Sequence, residues 1–255
     1  MARIFITGST DGLGLAGART LMDQGHEVVL HARSKERASA FADLAPRAAG
    51  VVIGDLSSAE ETRRAAEQAN RLGRMDAVIH NAGVYLQPRR GETPEGHATT
   101  FAVNVLAPYL LTALMERPGR LIYLSSGLHR GGEASLRDID WRDRPWNANQ
   151  AYSDSKLHVV ALAFAVARRW PEVLSNAVDP GWVRTRMGGA RAPVDIEAGQ
   201  RTQSWLAVSE EPAALVSGGY WHNLQQEPPA PETLDLAFQD RLMDRLAELT
   251  GVTLV

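Results

Sequence analysis

Short apolar runs alternate with segments of helical spacing along most of the chain. In the first third, β-branched and aromatic residues cluster in four runs that end at glycine or polar residues, which predicts four strands: RIFITG, HEVVLHA, GVVIGD and MDAVIHNAG. Ser34 and Ser58 stand where helix N-caps are expected, and they predict helices to about residue 44 and over residues 59–72. Between the first two runs, apolar residues recur at helical spacing at Leu15, Ala18, Leu21 and Met22.

The same alternation continues through the rest of the chain. The elements predicted there are a helix near residues 96–115, the strand RLIYLSS, a loop over residues 127–149, a long helix over about residues 151–170, the strand LSNAVDPG, a less regular segment over residues 182–212, a short strand near residues 219–221 and a last helix near residues 234–249. The proline-rich stretch QQEPPAPE, residues 225–232, is expected to be a plain surface connection.

Repeated strand–helix–strand units predict an α/β fold. We expect a single Rossmann-type, doubly wound parallel sheet of about seven strands, with helices on both faces and right-handed crossovers. Because the sequence shows no linker, repeat or low-complexity tract, we predict one domain over residues 1–255.

The composition narrows the classes of function. The 255 residues are 44% hydrophobic and 22% charged, as in ordinary globular proteins, and the net charge of -3 gives no electrostatic reason to bind nucleic acid or an anionic membrane. With no cysteine, the chain has no disulfide or thiolate nucleophile, which fits a cytoplasmic protein. The longest clean apolar run, residues 159–167, is too short for a membrane span, and the seven histidines lack metal-ligand spacing, so no metal site is expected.

The first predicted strand ends in TGSTDGLG, with Gly8, Gly12 and Gly14 in a strand-to-helix turn. A turn of this kind lets the backbone approach a pyrophosphate closely and points the amides at a helix N-terminus toward it. The spacing differs from the commonest dinucleotide fingerprint, and plain turn chemistry is the alternative. The remaining turn residues that we expect at a dinucleotide are Ser9, Asp11 and Leu13.

The second predicted strand leads into HARSK. An NAD site places an acidic residue near this point, where the chain has Ala32 followed by Arg33. An arginine there can pair with a 2′-phosphate, which favours NADP(H) over NAD(H), with NAD(H) as the second possibility. The alternative is a solvated basic start to a helix.

Tyr152 and Lys156 lie four positions apart in AYSDSK, and on a helix they share one face. A free tyrosine has a pKa near 10. A nearby ammonium and the positive charge of an oxidised nicotinamide both favour the phenolate, so together they would lower the pKa of Tyr152 and make it a general acid or base. Alone, such a pair is more often a surface contact. Ser125 and Ser126, however, end a predicted strand at the same edge of the sheet, as do the NAG and DPG turns.

Taken in order, TGSTDGLG, NAG, Asn104, LSS, YSDSK and DPGWVRT resemble the classical short-chain dehydrogenase/reductase family. The match runs from about residue 2 to residue 185. The longer stretch between LSS and the tyrosine resembles the retinol-dehydrogenase-like branch of that family.

The resemblance implies a role for each matching residue. Tyr152 would protonate the substrate oxygen, Lys156 would hold the nicotinamide ribose, and Ser126, rather than Ser125, would orient the carbonyl. Asn104 would support a proton relay through water. The residues implied at the cofactor, besides the turn and Arg33, are Asp55 and Leu56 near the adenine, Asn81, Ala82 and Gly83 of NAG, and Pro180, Gly181, Val183 and Thr185, with Thr185 at the nicotinamide carboxamide.

These expectations predict an NAD(P)-dependent oxidoreductase that acts on a carbonyl or alcohol of small molecules. The cofactor half would lie in about residues 1–125, and the catalytic and substrate elements in about residues 126–255. Tyr85, Leu86 and several tryptophans (Trp141, Trp146, Trp182 and Trp205) suggest a bulky apolar substrate, unless the tryptophans only pack the loops. His129 is expected at the pocket mouth or on the surface.

Other readings stay open. A non-catalytic NAD(P)-binding sensor would keep the glycine turn without needing Tyr152, Lys156 and Ser126. An isomerase or dehydratase on the same scaffold would bind cofactor without net turnover. A serine hydrolase is disfavoured because no G-x-S-x-G elbow is present. A homodimer or homotetramer is expected by analogy alone.

Overall fold

One continuous sheet runs through residues 1–254, the part of the chain that the structure, a computed structural model, describes. Its strands are β1 (Arg3–Ile6), β2 (Glu27–Ala32), β3 (Gly50–Ile53), β4 (Ala77–His80), β5 (Arg120–Leu124), β6 (Leu174–Asp179), β7 (Tyr220–His222) and β8 (Gln225–Glu227). Their spatial order is β3-β2-β1-β4-β5-β6-β7-β8. All neighbours pair in parallel except β7 and β8, which are antiparallel. Val255, the last residue of the predicted domain, lies outside the described residues.

Helices cover both faces of the sheet, as the alternation predicted. They are α1 (Gly12–Asp23), α2 (Lys35–Ala38), α3 (Ala59–Arg71), α4 (Thr99–Phe101), α5 (Ala107–Leu114), α6 (Ala148–Arg169), α7 (Ile196–Val208) and α8 (Leu236–Thr250). One apolar core joins the sheet to α3, α5, α6 and α8, and a second joins it to α1 and α7. None of the helices in the described part of the chain has both the length and the apolarity to cross a bilayer.

Helix α7 lies in the segment predicted to be irregular. Asp195 caps it by accepting a hydrogen bond from the Ala198 amide at 2.7 Å. The face turned toward α1 is polar: Gln203 donates to the Leu13 carbonyl at 3.3 Å and Gln200 donates to Thr20 at 3.1 Å. Because buried polar residues replace the expected apolar stripe, the helix leaves little periodic signal in the sequence.

Three other predictions needed correction. The helix after Ser34 ends at Ala38 and continues as short 3-10 turns rather than reaching residue 44. The proline-rich stretch at residues 225–232 is not only a surface connection, because it begins with β8. The helix predicted near residues 96–115 starts at Thr99 and contains a π-helical turn, Ala102–Leu106. The sheet therefore has one short strand more than the seven expected, added antiparallel at its edge.

Candidate active site

The glycine turn forms a cradle of main-chain atoms between β1 and α1. Gly8 and Gly12 have φ of +67° and +54°, a conformation that favours glycine. A Cβ on Gly14 would lie only 2.4 Å from the Gly8 carbonyl oxygen, so no larger residue fits there. Asp11 caps α1 by accepting from the Gly12 amide at 2.7 Å. The predicted turn is thus present at the carboxyl end of a central strand, with a helix N-terminus facing the open side.

A buried histidine fixes this turn to the neighbouring strands. His31, on β2, is 2% exposed, and its Nδ1 accepts a hydrogen bond from the Gly8 amide at 2.9 Å. Its Nε2 lies 3.0 Å from the Gly54 carbonyl oxygen and therefore donates to it. Burial lowers the pKa of His31 to about 4, so the ring is neutral at physiological pH. His31 was not singled out from the sequence, because a lone histidine in a strand carries no motif.

Two predicted cofactor residues have side chains turned away from the cradle. Ser9 is fully buried, and its hydroxyl bonds the Ile6 carbonyl and the His31 amide. Leu56 is 5% exposed and belongs to the apolar core. Both can face a cofactor only through their main-chain atoms. Asp55 has an Oδ1 that accepts from the Ser57 amide at 2.9 Å, which is also how an ordinary turn residue behaves.

Arg33 follows β2 at the same edge of the sheet, and its side chain is exposed. Within residues 1–254 it makes no side-chain hydrogen bond or ion pair. The neighbouring Ser34 caps α2 by accepting from the Arg37 amide. Arg33 is therefore free to pair with an anionic group placed beside the glycine turn.

The NAG turn joins the cradle to the opposite half of the sheet. Asn81 donates from Nδ2 to the carbonyl of Thr7 at 2.8 Å and to that of Gly8 at 3.2 Å. The Ala82 amide donates to the Thr7 hydroxyl at 2.9 Å. A Cβ on Gly83 would lie 3.6 Å from Lys156 Nζ, so this turn separates the cradle from the predicted catalytic lysine.

Tyr152 and Lys156 project together from the first turns of α6, and both are buried. Lys156 Nζ donates to the Leu124 carbonyl at 2.7 Å and lies 5.6 Å from the centroid of the Tyr152 ring. Ser126 lies near enough to Tyr152 to oppose the rise of its pKa. Ser125 points elsewhere, because its hydroxyl donates to the Lys156 carbonyl at 3.0 Å. The Ser125 hydroxyl is thus engaged with α6, and Ser126 stays the predicted serine beside the tyrosine.

Burial is the main influence on the pKa of Tyr152 in the protein alone. Burial raises this pKa well above 10; Ser126 opposes the rise, and the charges of Tyr85 and Asp179 add to it. Burial also lowers the pKa of Lys156 to about 8, while Asp179 raises it. The Lys156 ammonium donates to the Leu124 carbonyl. The predicted lowering of the tyrosine pKa depends also on the charge of an oxidised nicotinamide and stays a prediction. The phenol keeps its proton, as a proton donor must.

Asn104 sits in the π-helical turn, a feature that often marks functional sites. Its Oδ1 accepts from the Val84 amide at 2.9 Å, and its Nδ2 donates to the Val84 carbonyl at 3.1 Å and to the Ser155 hydroxyl at 3.0 Å. The side chain thus links the NAG turn to α6. Its side-chain bonds explain why an amide stands inside this helix.

The DPG turn after β6 closes the site from the other side. Asp179 accepts from the Gly181 amide at 2.9 Å, and Gly181 has φ of +79°. A Cβ on Gly12 would lie 3.4 Å from the Thr185 methyl group, so this segment reaches the glycine turn. Val183 is buried and forms a bridge with Val194, while Pro180 lines a cavity of about 340 Å³ with Asp179 and His222. Pro180, Gly181, Val183 and Thr185 therefore lie on one segment beside the cradle.

The tryptophans expected around the substrate mostly pack one another. Trp141 and Trp146 meet edge to face at 5.5 Å, and Trp205 meets Trp221 at 5.4 Å in the core under α7. Trp182 remains 58% exposed. Tyr85 is the aromatic residue closest to the chemistry, with its ring 4.5 Å from that of Tyr152. The structure thus favours loop packing for Trp141, Trp146 and Trp205.

Comparison with known proteins decides the family. A family model described as Enoyl-(Acyl carrier protein) reductase matches residues 8–214. Short-chain dehydrogenase chyC of Penicillium rubens is 44% identical over 257 residues, which cover 100% of this chain and 99% of that protein. The chain belongs to the short-chain dehydrogenase/reductase family. The prediction from the ordered motifs is confirmed, and the protein is an oxidoreductase of this family.

Further relatives agree with this assignment. Human retinol dehydrogenase 13 is 32% identical over 98% of this chain and 84% of its own length, in line with the branch that the sequence resembles. Among solved structures, a protein from Mycobacterium paratuberculosis superposes with a TM-score of 0.85 over 100% of this chain and 95% of that chain, at 24% identity. A short-chain dehydrogenase from Burkholderia cenocepacia, solved with NADP, gives 0.68 at 22% identity over 87% of this chain and 95% of that chain. The last two likenesses confirm the fold.

The residues present fit a dinucleotide. Gly14 packs against the Gly8 carbonyl and the Asn81 side chain, which brings the α1 N-terminus close to the end of β1, where a pyrophosphate would bind. After β2, Arg33 offers a guanidinium that has no partner within residues 1–254, and Lys156 offers a buried ammonium beside the NAG turn. The donor set spans both ends of such a cofactor, from the second strand to the start of α6.

Proposed function

We propose that this protein is an NADP(H)-dependent reductase of bulky, apolar carbonyl compounds. The observation that carries the proposal is the placement of Tyr152 and Lys156 together on the first turns of α6, with the Lys156 ammonium 5.6 Å from the centroid of the Tyr152 ring and Ser126 at the end of the neighbouring strand β5. The reverse reaction would oxidise the corresponding alcohol. We infer reduction as the direction in the cell from the proposed preference for NADP(H).

Bound NADPH would supply the hydride that converts the carbonyl carbon to an alcohol carbon. Tyr152 donates its proton to the carbonyl oxygen at the same time, so alcohol and NADP⁺ are the products. Ser126 holds that oxygen by a hydrogen bond that strengthens as negative charge develops. Lys156 holds the nicotinamide ribose, and its charge stabilises the phenolate that Tyr152 leaves behind. Asn104 supports the relay through water that returns a proton to Tyr152.

Each end of the cofactor has its own binding residues in this proposal. Arg33 pairs with the 2′-phosphate, and Asp55 with Leu56 faces the adenine. The pyrophosphate lies on main-chain atoms of Gly8, Ser9, Asp11, Gly12, Leu13 and Gly14. The nicotinamide half contacts Asn81, Ala82, Gly83, Tyr152, Lys156, Pro180, Gly181, Val183 and Thr185.

The substrate class rests on the apolar side chains around the site. Leu86 and Leu128 are 46% and 42% exposed, and Trp182 and Met187 are 58% and 49% exposed. Leu128 belongs to the turn that follows Ser126, and Leu86 to the loop that carries Tyr85. An exposed apolar rim of this kind suits a bulky apolar substrate. The homodimer or homotetramer and the cytoplasmic location stay predictions from the sequence.

Cofactor titration tests the first half of the proposal. NADPH and NADH are titrated separately against the purified protein, followed by nicotinamide fluorescence. Charge-assisted bonds from Arg33, worth about 1.5–3 kcal/mol, should favour NADPH by roughly 10- to 150-fold. Arg33→Ala should remove most of that preference, whereas the matched control Lys35→Ala, at another exposed cation nearby, should keep it. Equal binding of the two cofactors by the unaltered protein would refute NADP specificity.

Turnover tests the second half. NADPH consumption is measured with 9,10-phenanthrenequinone, a bulky apolar dicarbonyl, and with acetone as a small control. We expect turnover of the quinone at much lower concentrations than acetone. Tight NADPH binding without turnover of a panel of bulky carbonyls would instead favour the non-catalytic sensor.

A further inference from the structure

The turn that follows Ser126 contains a histidine whose buried position the sequence did not predict. His129 was expected at the pocket mouth or on the surface, yet it is 0% exposed. It lies in the 3-10 turn Gly127–Gly131, directly after β5, and Ser126 is the N-cap of that turn. A fully buried imidazole so close to the site needs hydrogen-bond partners for both nitrogens.

Both partners are present, and they define the proton's position. The Ala230 amide donates to His129 Nε2 at 2.9 Å, so Nε2 carries no hydrogen. His129 Nδ1 lies 2.8 Å from the Ser126 carbonyl oxygen and must be the protonated nitrogen that donates to it. Burial lowers the pKa of His129, which favours this neutral form. The ring therefore bridges the Ser126 main chain and a residue 101 positions further along the chain.

Other contacts of the same turn reach the same C-terminal segment. The His129 ring packs against the Tyr220 ring on β7, with centroids 4.5 Å apart. Arg130 donates to the Pro228 carbonyl at 2.8 Å. Toward the site, the Ser126 hydroxyl oxygen accepts from the Leu128 amide at 3.3 Å. The Ser126 carbonyl also accepts from the His129 amide at 3.0 Å, so the main chain and the side chain of His129 both bond this carbonyl.

We propose that His129 is a positioning residue, which holds the Ser126 main chain against the C-terminal segment at Ala230 and so keeps the Ser126 hydroxyl beside Tyr152. The proposal rests on the proposed function, in which Ser126 holds the carbonyl oxygen. A displacement of about 1 Å at such a donor is enough to cost roughly 100-fold in rate, so a residue that touches no substrate can matter for catalysis.

Two conservative variants separate positioning from stability. An asparagine amide nitrogen occupies nearly the place of Nδ1, so His129→Asn keeps the donor to Ser126 and loses the acceptor for Ala230. A glutamine amide oxygen reaches nearly the place of Nε2, so His129→Gln does the opposite. We expect His129→Asn to keep kcat within about threefold but to lower Tm, and His129→Gln to lower kcat roughly 10- to 100-fold with a smaller change in Tm. A merely structural role would make kcat follow Tm in both variants.

The coupling to Ser126 is measured in a double-mutant cycle with NADPH and 9,10-phenanthrenequinone. Ser126→Ala alone should lower kcat by about 100-fold or more. In that background, His129→Gln should change kcat by less than about threefold, because the side chain that it positions is gone. An equal loss in both backgrounds would overturn the positioning role and leave the proposed function standing. A Ser126→Ala enzyme with full kcat would remove the proposed role of Ser126, and the positioning role with it.

A measurement without turnover completes the test. In ¹⁵N-labelled protein, long-range imidazole correlations distinguish a ring protonated at Nδ1 from one protonated at Nε2. The His129 signal is assigned as the one that disappears in His129→Asn, and the bridge requires it to have the Nδ1–H form. The NADPH dissociation constant should stay within about twofold in both variants, because His31 and not His129 bonds the glycine turn. An Nε2–H or doubly protonated ring would contradict the bridge.

Discussion

Two turns at the same edge of the sheet are each held by one buried, neutral histidine, but to different parts of the chain. The glycine turn is held by His31, whose ring bonds Gly8 and Gly54 at the ends of strands within the parallel sheet. The serine turn is held by His129, whose ring bonds Ser126 and Ala230, and Ala230 follows the antiparallel edge strand. The cofactor turn thus depends on the first three strands, β1 to β3, at one side of the sheet, and the serine turn depends on the segment after β8, at the opposite edge. Damage at the two places should therefore have different kinetic consequences.

Replacing Tyr152 should have the largest effect on kcat while changing cofactor binding little. Tyr152→Phe removes the proton donor and leaves the ring that packs against Tyr85, so kcat with 9,10-phenanthrenequinone should fall by about 100- to 10,000-fold. The NADPH dissociation constant should change by less than about threefold, since the cradle is untouched. Tyr85→Phe is the matched control, and it should keep kcat within about threefold. If Tyr152→Phe kept full kcat, another group would have to donate the proton.

His31 provides the opposite case. His31→Leu leaves the buried Gly8 amide and Gly54 carbonyl without partners, and each such loss costs about 1–3 kcal/mol. We expect a lower Tm and an NADPH dissociation constant about tenfold higher, with kcat at saturating NADPH within about threefold. His31→Asn, which keeps an acceptor for the Gly8 amide, should recover most of the binding. Fluorescence titration and initial rates measure the two effects; loss of kcat with unchanged binding would reverse the comparison.

The same contrast explains what the sequence could predict. The glycine turn is encoded within a few residues, because Gly8, Gly12 and Gly14 fill positions that a Cβ would obstruct, and such spacing is visible in one sequence. Tyr152 and Lys156 could also be predicted, because two residues four positions apart on a helix form a local pattern. The partner of His129 is far along the chain, so no local pattern marks it. Helix α7 was not predicted because its buried face is polar. The pKa of Tyr152 could not be predicted because it depends on burial that only the folded chain creates.

Asp179 links the serine turn to the catalytic pair by charge, and its removal should act on the pH profile. The Asp179 carboxylate packs against Gly127: a Cβ built on Gly127 would lie 3.1 Å from Asp179 Oδ2. Its negative charge raises the pKa of Tyr152 and that of Lys156. Asp179 also interacts with His129 on the turn and with Tyr220 and His222 on β7.

Asp179→Asn should therefore lower both pKa values. During reduction the active form carries a protonated Tyr152 and a protonated Lys156, so activity falls as pH rises through their pKa values. Without the carboxylate, the alkaline limb of kcat/KM should move to lower pH, and the rate near pH 7 should change by only a few fold. Rates from pH 6 to pH 10 with saturating NADPH measure the limb. A limb that moved to higher pH would show that Asp179 does not act by its charge.

A third buried histidine, His158, serves as a control for the effect of burial without hydrogen bonds. His158, on α6, is 1% exposed, and neither ring nitrogen has a hydrogen-bond partner within the described residues. If His31 and His129 matter through their bonds and not through burial alone, His158→Phe should leave kcat and NADPH binding within about twofold. Stability should rise slightly near pH 7.5, because an apolar ring replaces an unpaired polar one.

The effect of His158→Phe should grow in acid, and the sign follows from the pKa. Burial lowers the pKa of His158 from 6.5 to about 3, so between these values the unfolded chain binds a proton that the folded one does not. Proton binding to His158 in the unfolded chain lowers the free energy of unfolding of the unaltered protein as pH falls below 6.5, by roughly 2 kcal/mol at pH 5. The phenylalanine variant has no such proton to bind. Urea unfolding at pH 7.5 and pH 5 should show a larger gain for the variant at pH 5. An equal gain at both pH values would mean that His158 takes up its proton in the folded state.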